Sequence, residues 1–286
     1  MPPEHDGRLL KRVVRGAMGV SHHVFSSLKV QGGVLVDGVP ARADLALSAG
    51  QVIELMLSDR SEGVEHDPSP VDVVYEDEDI VIVNKPAPLP CQSSSRQEGF
   101  ALENRMAARF GQPYVFRPVN RLDKGTSGLM AVARHAHAQM VLSRALHTER
   151  YAREYLAVVI GRPPEAEGLI DAPIAKAPGA TIRREVSPDG KSARTHYRLL
   201  AQAGGRSLVW LRLDTGRTHQ IRVHMQYLGC PVWGDFLYGE EAPELPGRFA
   251  LHSWRLALDH PMTGERLTFE APIPPEFGAW KTPGAL

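Results

Sequence analysis

One stretch constrains this chain more than any other: Arg121-Leu122-Asp123-Lys124-Gly125-Thr126-Ser127-Gly128-Leu129. A carboxylate stands between two cations, and a Gly-Thr-Ser-Gly turn feeds the apolar run Leu129-Met130-Ala131-Val132-Ala133. Gly125 and Gly128 let the backbone turn sharply and approach a ligand closely. The apolar run reads as a buried strand. Together they predict an acid held on a loop at the mouth of a core strand. On spacing alone, a surface turn with a solvated Asp123–Lys124 pair fits as well.

The 286 residues carry 33 Lys and Arg against 33 Asp and Glu, so the formal net charge is zero. That length holds one large domain, or a small one followed by a medium one. The longest apolar runs are strand-sized, too short for a transmembrane helix. Met1-Pro2-Pro3-Glu4-His5-Asp6 lacks the basic-then-apolar order of a signal peptide. Two isolated cysteines, Cys91 and Cys230, make neither a metal-ligand pair nor a disulfide framework. A cytoplasmic location is expected. The charge is segregated, however. Glu62 to Asp79 holds eight acids and no Lys or Arg, whereas Lys176 to Arg222 holds ten bases and three acids. This fits a basic groove on a neutral body.

Arg8, Lys11, Arg12 and Arg15 recur at helical spacing between Gly7 and Ala17, predicting a short helix with one basic face. Ser21 is placed to cap a second helix, with Val24 and Leu28 on one side and Lys29 its basic residue; Gly32-Gly33 ends it. Val34-Leu35-Val36, an Asp37-Gly38 turn and Val39 read as a hairpin. After Ala49-Gly50, the alternation of Ile53, Leu55 and Leu57 reads as a strand. This unit resembles the S-four-like RNA-binding module, in which the second helix and the hairpin engage RNA. The likeness makes Arg8, Lys11, Arg12, Arg15 and Lys29 expected RNA contacts. Ser58 to Pro70 is polar and acidic and reads as a linker. The expected division is residues 1–60, a linker at 61–70, and a second domain over 71–286.

In that second domain, Ile80-Val81-Ile82-Val83 is a buried strand stopped by Asn84-Lys85-Pro86, where a lysine reads as solvated. Leu102, Met106 and Phe110 form one helical stripe; Ala138, Val141, Leu142, Ala145 and Leu146 form another. His135, His137 and His147 lack metal-site spacing and read as surface or packing residues. Arg153 to Gly161 and Ser207 to Leu213 read as strands. Thr218 is placed to cap a helix ending at Gly229. Ile221, Met225 and Leu228 share one face of it, and His219, Arg222 and Gln226 lie within an arc of about 60° on the other. No phosphate-cradling loop, dinucleotide fingerprint or cysteine cluster is present, so neither cofactor nor metal is expected.

Several segments, in order, resemble the RluA-type pseudouridine synthases. The family pattern His-Arg-Leu-Asp, two variable residues and Thr-Ser-Gly is matched by Arg121, Leu122, Asp123, Thr126, Ser127 and Gly128. Asn120 stands where the family most often has His. Tyr155 opens a match to Tyr-x-Ala-x-Val-x-Gly. The segments Gly190 to Tyr197 and Gly216-Arg217-Thr218-His219-Gln220-Ile221-Arg222-Val223-His224 continue the likeness, which spans about residues 71 to 275. It implies that Asp123 is the catalytic aspartate, that Tyr155 lines the pocket and that Arg222 pairs with Asp123. Arg121 and Thr126 would hold the backbone and the gap left by a flipped-out base. Arg217 and His219 would be further RNA contacts, and Asn84-Lys85-Pro86 mainly structural.

The implied reaction detaches uracil from ribose, rotates it and rejoins it through carbon five. Asp123 would either attack the anomeric carbon or remove the 2′ proton. The implied fold is α+β, a small RNA-binding domain followed by a catalytic domain with a mixed, largely antiparallel central sheet. Large-subunit ribosomal RNA is the expected substrate, with transfer RNA the alternative, and a monomer is expected. A non-catalytic RNA-binding or ribosome-assembly protein is a rival that loss of Asp123, Tyr155 or Arg222 would have favoured. A nucleoside or glycoside hydrolase needs a second placed carboxylate, and the motif neighbourhood offers cations instead.

Overall fold

Asp37 and Gly38 both take positive φ, 51° and 77°, as a two-residue hairpin turn whose twist matches its strands requires. The Asp37 carboxylate accepts the Val52 N–H at 2.8 Å, tying the turn to the third strand. The computed structural model describes residues 1–18, 20, 22–30, 32–56, 64–93, 99–111 and 114–280. The chain divides into two units, Met1–Ser61 and Glu62–Leu286.

In the first unit, α1 (Leu10–Arg12) passes into a π-helical turn, Val13–Ala17, where one continuous helix was expected. Met18 N–H donates to Val13 O at 3.1 Å, a five-residue step that widens the turn. Leu10, Val13 and Val14 are thereby all buried against Phe25 and Leu28 of α2 (His22–Val30). The strands β1 (Val34–Val36), β2 (Val39–Pro40) and β3 (Ile53–Leu55) form a sheet of order β2-β1-β3. The expected Ser21 cap, the Val24 side chain and Leu57 lie outside the described residues. Arg8, Lys11, Arg12, Arg15 and Lys29 are exposed.

In the second unit, the strands are β4 (Val73–Glu76), β5 (Ile80–Lys85), β6 (Arg117–Pro118), β7 (Ser127–Ala133), β8 (Tyr151–Ile160) and β9 (Glu167–Asp171). After a small hairpin of β10 (Ile174–Lys176) and β11 (Arg184–Val186) come β12 (Arg194–Ala203), β13 (Arg206–Leu213), β14 (Leu251–Asp259) and β15 (Arg266–Glu270). Apart from that hairpin they form one sheet of order β4-β5-β7-β14-β8-β13-β12-β9, with β15 on β14 and β6 on β7. Among the described residues, the β7–β14 junction alone is parallel, which meets the expected mixed, largely antiparallel sheet and the α+β class.

Alternate residues of the central strands enter cores on opposite faces. Val81, Val83, Met130 and Val132 pack with Leu102 and Met106 of α3 (Leu102–Phe110) and with Ile221 and Met225 of α5 (Gln220–Tyr227). Ile80, Ile82, Leu129 and Ala131 pack on Ala138 and Leu142 of α4 (Ala136–Ala145). Burial on both faces explains why these strands read as unbroken apolar runs.

The described part of the expected linker, residues 64–70, belongs to the second unit. Asn104 Nδ2 donates to Glu65 O at 2.7 Å, and Arg105 Nε pairs with the buried Asp67 carboxylate at 2.9 Å. Its polar, acidic composition is met by polar residues of α3. No helix among the described residues is long and apolar enough to cross a membrane.

Candidate active site

Residues 119–126 loop from β6 to β7 and carry Asp123. Thr126 N–H donates to Asp123 O at 3.1 Å and closes the turn. Gly128 follows with φ 107°, and a Cβ there would lie 2.2 Å from Ser253 O, so only glycine permits this approach of β7 to β14. The register then runs as one row across the sheet, Lys85–Gly128–Ser253–Tyr155–Leu211–Tyr197. The parallel β7–β14 contact thus carries the Asp123 loop to within one strand of Tyr155.

Lys85, which reads in the sequence as solvated, is fully buried. Its ammonium donates to Leu89 O at 2.7 Å and Pro86 O at 2.9 Å, and reaches Lys124 O at 3.5 Å. It therefore staples the loop after β5 to the Asp123 loop. Burial pulls the Lys85 ammonium down to about 8, although Cys91 and Asp123 act to raise it.

Arg222, on α5, lies between two carboxylates. Its Nη1 donates to Asp123 Oδ2 at 3.0 Å, and its Nε and Nη2 donate to Asp235 at 2.6 and 2.8 Å. Asp235 is completely buried and also accepts the N–H groups of Leu237 and Tyr238. The guanidinium carbon sits 4.2 Å from the Phe249 ring centre and 4.9 Å from that of Tyr238. Burial opposes the charge, but the Asp235 hydrogen bonds and the Asp123 and Asp235 charges hold Arg222 above its ordinary range. Among the described residues, Arg222 is the cation at Asp123; Arg121 and Lys124, its sequence neighbours, are exposed. The helix face expected to be polar is consequently the buried one at this position.

The N-terminus of α5 also differs from expectation. The capping position belongs to His219, with φ 59°, and not to Thr218. Gln220 Oε1 accepts the Arg217 N–H and the Thr215 hydroxyl in place of a cap. The left-handed turn sets His219 Nδ1 2.7 Å from the Tyr238 hydroxyl, which already accepts the Arg184 N–H. Burial holds the His219 ring below the usual imidazole range, which favours its neutral form.

Asp123, Tyr155, Arg222, Arg121, Thr126, Arg217 and His219 all line one cavity of about 680 Å³, a volume suited to a small ligand or one nucleotide. Burial raises the Tyr155 phenol above its ordinary pKa. Asn120 hydrogen-bonds the Tyr151 hydroxyl at 2.7 Å through Oδ1. The basic side chains of Arg8, Lys11, Arg12, Arg15 and Lys29 belong to the other unit. Sequence reasoning missed Asp235, a second carboxylate at the motif. Its signal was an acid inside the aromatic run Trp233-Gly234-Asp235-Phe236-Leu237-Tyr238.

Away from the cavity, Asp77, Asp79 and His260 come together. His260 Nδ1 accepts the Met262 and Thr263 N–H groups, so Nε2 carries the proton it donates to Asp77 at 2.9 Å. Neither ring nitrogen has a lone pair left for a metal.

Residues 79–227, which include Asp123, Tyr155 and Arg222, match the family model for RNA pseudouridylate synthase. The chain belongs to that family. An uncharacterised RNA pseudouridine synthase of Bacillus subtilis is 38% identical over 268 residues, 92% of this chain and 94% of the relative. Ribosomal large subunit pseudouridine synthase D of Vibrio cholerae is 39% identical over 268 residues, 87% of this chain and 82% of the relative. Among solved structures, human RNA pseudouridylate synthase domain containing 1 is similar, with TM-score 0.61 and 28% identity over 79% of this chain and 92% of that one. The expected enzyme class, an RNA pseudouridine synthase of the RluA type, is therefore met.

Proposed function

We propose that this RNA pseudouridine synthase acts on large-subunit ribosomal RNA and that Asp123 carries the reaction. The observation behind the second point is the array Asp235–Arg222–Asp123 beside Tyr155 in one cavity. Arg222 engages Asp123 Oδ2, which leaves Oδ1 for the ribose. That oxygen serves as nucleophile at the anomeric carbon or as base at the 2′ position. The bond from carbon one of the sugar to nitrogen one of uracil breaks, and the freed base turns. A bond to carbon five forms, the carbon-five proton leaves and nitrogen one gains a proton. The balance is that of an isomerisation, with no electrons transferred, so the reaction calls for no cofactor.

Tyr155 stacks on the uracil. Its raised pKa favours the neutral phenol, so a platform is the role its burial supports. Arg121 and Thr126 hold the backbone around the extruded nucleotide, with Arg217 and His219 further contacts. The target rests on relatives named for the ribosomal large subunit, at 36% and 39% identity. The exposed bases of the first unit, as in an S-four-like module, add phosphate contacts without reading sequence. The protein works as a cytoplasmic monomer.

The test is tritium release from carbon-five-labelled uridine in large-subunit ribosomal and transfer RNA transcripts, with pseudouridine mapping. Asp123→Asn should lose at least about three orders of magnitude in turnover while remaining folded. Activity within about tenfold of wild type would remove Asp123 from the chemistry. Release from transfer RNA alone would overturn the ribosomal assignment.

A further inference from the structure

Arg153 has no place in the reaction as derived. It lies on β8 two residues before Tyr155, on the same face, and lines the same cavity. It is only 5% exposed, yet no carboxylate among the described residues pairs with it. Nη2 donates to Leu146 O at 3.3 Å, and the guanidinium carbon lies 6.0 Å from the Tyr151 ring centre. Nε is buried without a partner. Gly216 leaves room for the group, since a Cβ there would come 3.3 Å from Arg153 Nη1. Arg217 lines the same wall, its Nε on Ser192 O at 2.8 Å. His147, also at this corner, is held below its usual range by burial and then by Arg153 and Arg217, so it stays neutral and brings no counter-charge, as do the Tyr151 and Tyr155 phenols, both raised by burial.

A buried cation without an acid costs stability unless something else supplies the negative charge. Arg222, in the same cavity, shows the contrast, with a carboxylate on each side. A guanidinium facing a cavity suits an anion with two oxygens in one plane. Two residues along a strand is about 7 Å, so an anion here sits beside a base stacked on Tyr155.

We propose that Arg153, with Arg217, forms a phosphodiester site that grips a backbone phosphate flanking the target uridine. The ligand's identity rests on the RNA reading above. The phosphate completes the charge of a wall that is cationic in the free protein. Binding of RNA and filling of this site are then one event.

The test uses the full chain, with uridine 3′,5′-bisphosphate, uridine and inorganic phosphate as probes in calorimetric or NMR titrations. Wild type should bind the bisphosphate at least about tenfold tighter than uridine or inorganic phosphate, and Arg153→Gln should erase that margin. Arg153→Lys, which keeps the charge, should retain part of it. Removing an unpaired buried cation should leave the melting temperature unchanged or higher. With an active transcript, Arg153→Gln should raise KM about tenfold and move kcat less than about threefold. A margin that survives in Arg153→Gln would overturn the site, as would inorganic phosphate binding as tightly as the bisphosphate. Unfolding of Arg153→Gln would also overturn it, by marking the guanidinium as a structural element. An Arg153-dependent margin without pseudouridine in any transcript would leave the anion site standing and sink the functional reading instead.

Discussion

Asp235→Asn should damage this protein far more than Asp123→Asn, although both carboxylates bind the same guanidinium. The Asp235 side chain is fully buried and that of Asp123 is 28% exposed. Asparagine at 235 can keep one oxygen for Arg222 Nη2 and the backbone N–H groups of Leu237 and Tyr238. Its amide nitrogen then faces Arg222 Nε across 2.6 Å, donor against donor. Removing one partner of a buried ion pair costs about 3–5 kcal/mol. At 123 the guanidinium keeps both Asp235 bonds and solvent reaches the site, so a loss of no more than about 1 kcal/mol is expected. Urea unfolding followed by tryptophan fluorescence measures this. All four tryptophans (Trp210, Trp233, Trp254 and Trp280) lie in the second unit, so the first does not contribute. Equal losses in the two variants, or a loss under about 1 kcal/mol for Asp235→Asn, would refute the claim that Asp235 anchors Arg222 while Asp123 is left for chemistry.

Gly128→Ala should lose more than about 3 kcal/mol or fail to fold, because its Cβ meets Ser253 backbone at a positive φ; a melting temperature near wild type would contradict the β7–β14 contact. Burial pulls Lys85 down to about 8 in the folded chain, against 10.5 for a free lysine, so the unfolded chain binds more protons between those values and this group's contribution to stability rises with pH. Between pH 8 and 9.5, wild type should therefore gain about 1.5 kcal/mol relative to Lys85→Met, and a pH-independent difference would refute the burial. A chain starting at Glu62 should fold and isomerise uridine with a shallower salt dependence of RNA binding. One starting at Val71 should melt earlier, by about 1–2 kcal/mol in stability, for want of the Asp67–Arg105 and Glu65–Asn104 bonds; equal melting of the two would return residues 64–70 to the role of linker.

Much of this molecule is local in origin and was legible for that reason. Asp37-Gly38 dictates its hairpin through two positive φ angles, and the runs at Ile80 and Leu129 declare strands buried on both faces. The spacing in the Asp123 segment foretold a loop feeding a core strand, with glycine where the backbone is crowded. What surrounds Asp123 is not local. Its guanidinium arrives from 99 residues away, and the acid that anchors that guanidinium arrives on yet another segment. Neither distance nor burial at those positions is encoded in neighbouring residues. They follow from strand order, and chiefly from the parallel β7–β14 junction that sets Gly128 and Tyr155 on either side of Ser253. The same fact explains the misreadings. Lys85 reads as solvated because lysines usually are, until two loops close their carbonyls over it. Residues 64–70 read as linker because they are polar, until α3 supplies polar partners. Composition sets what a side chain prefers, whereas tertiary structure decides which groups meet it out of water, where an unpaired charge costs most.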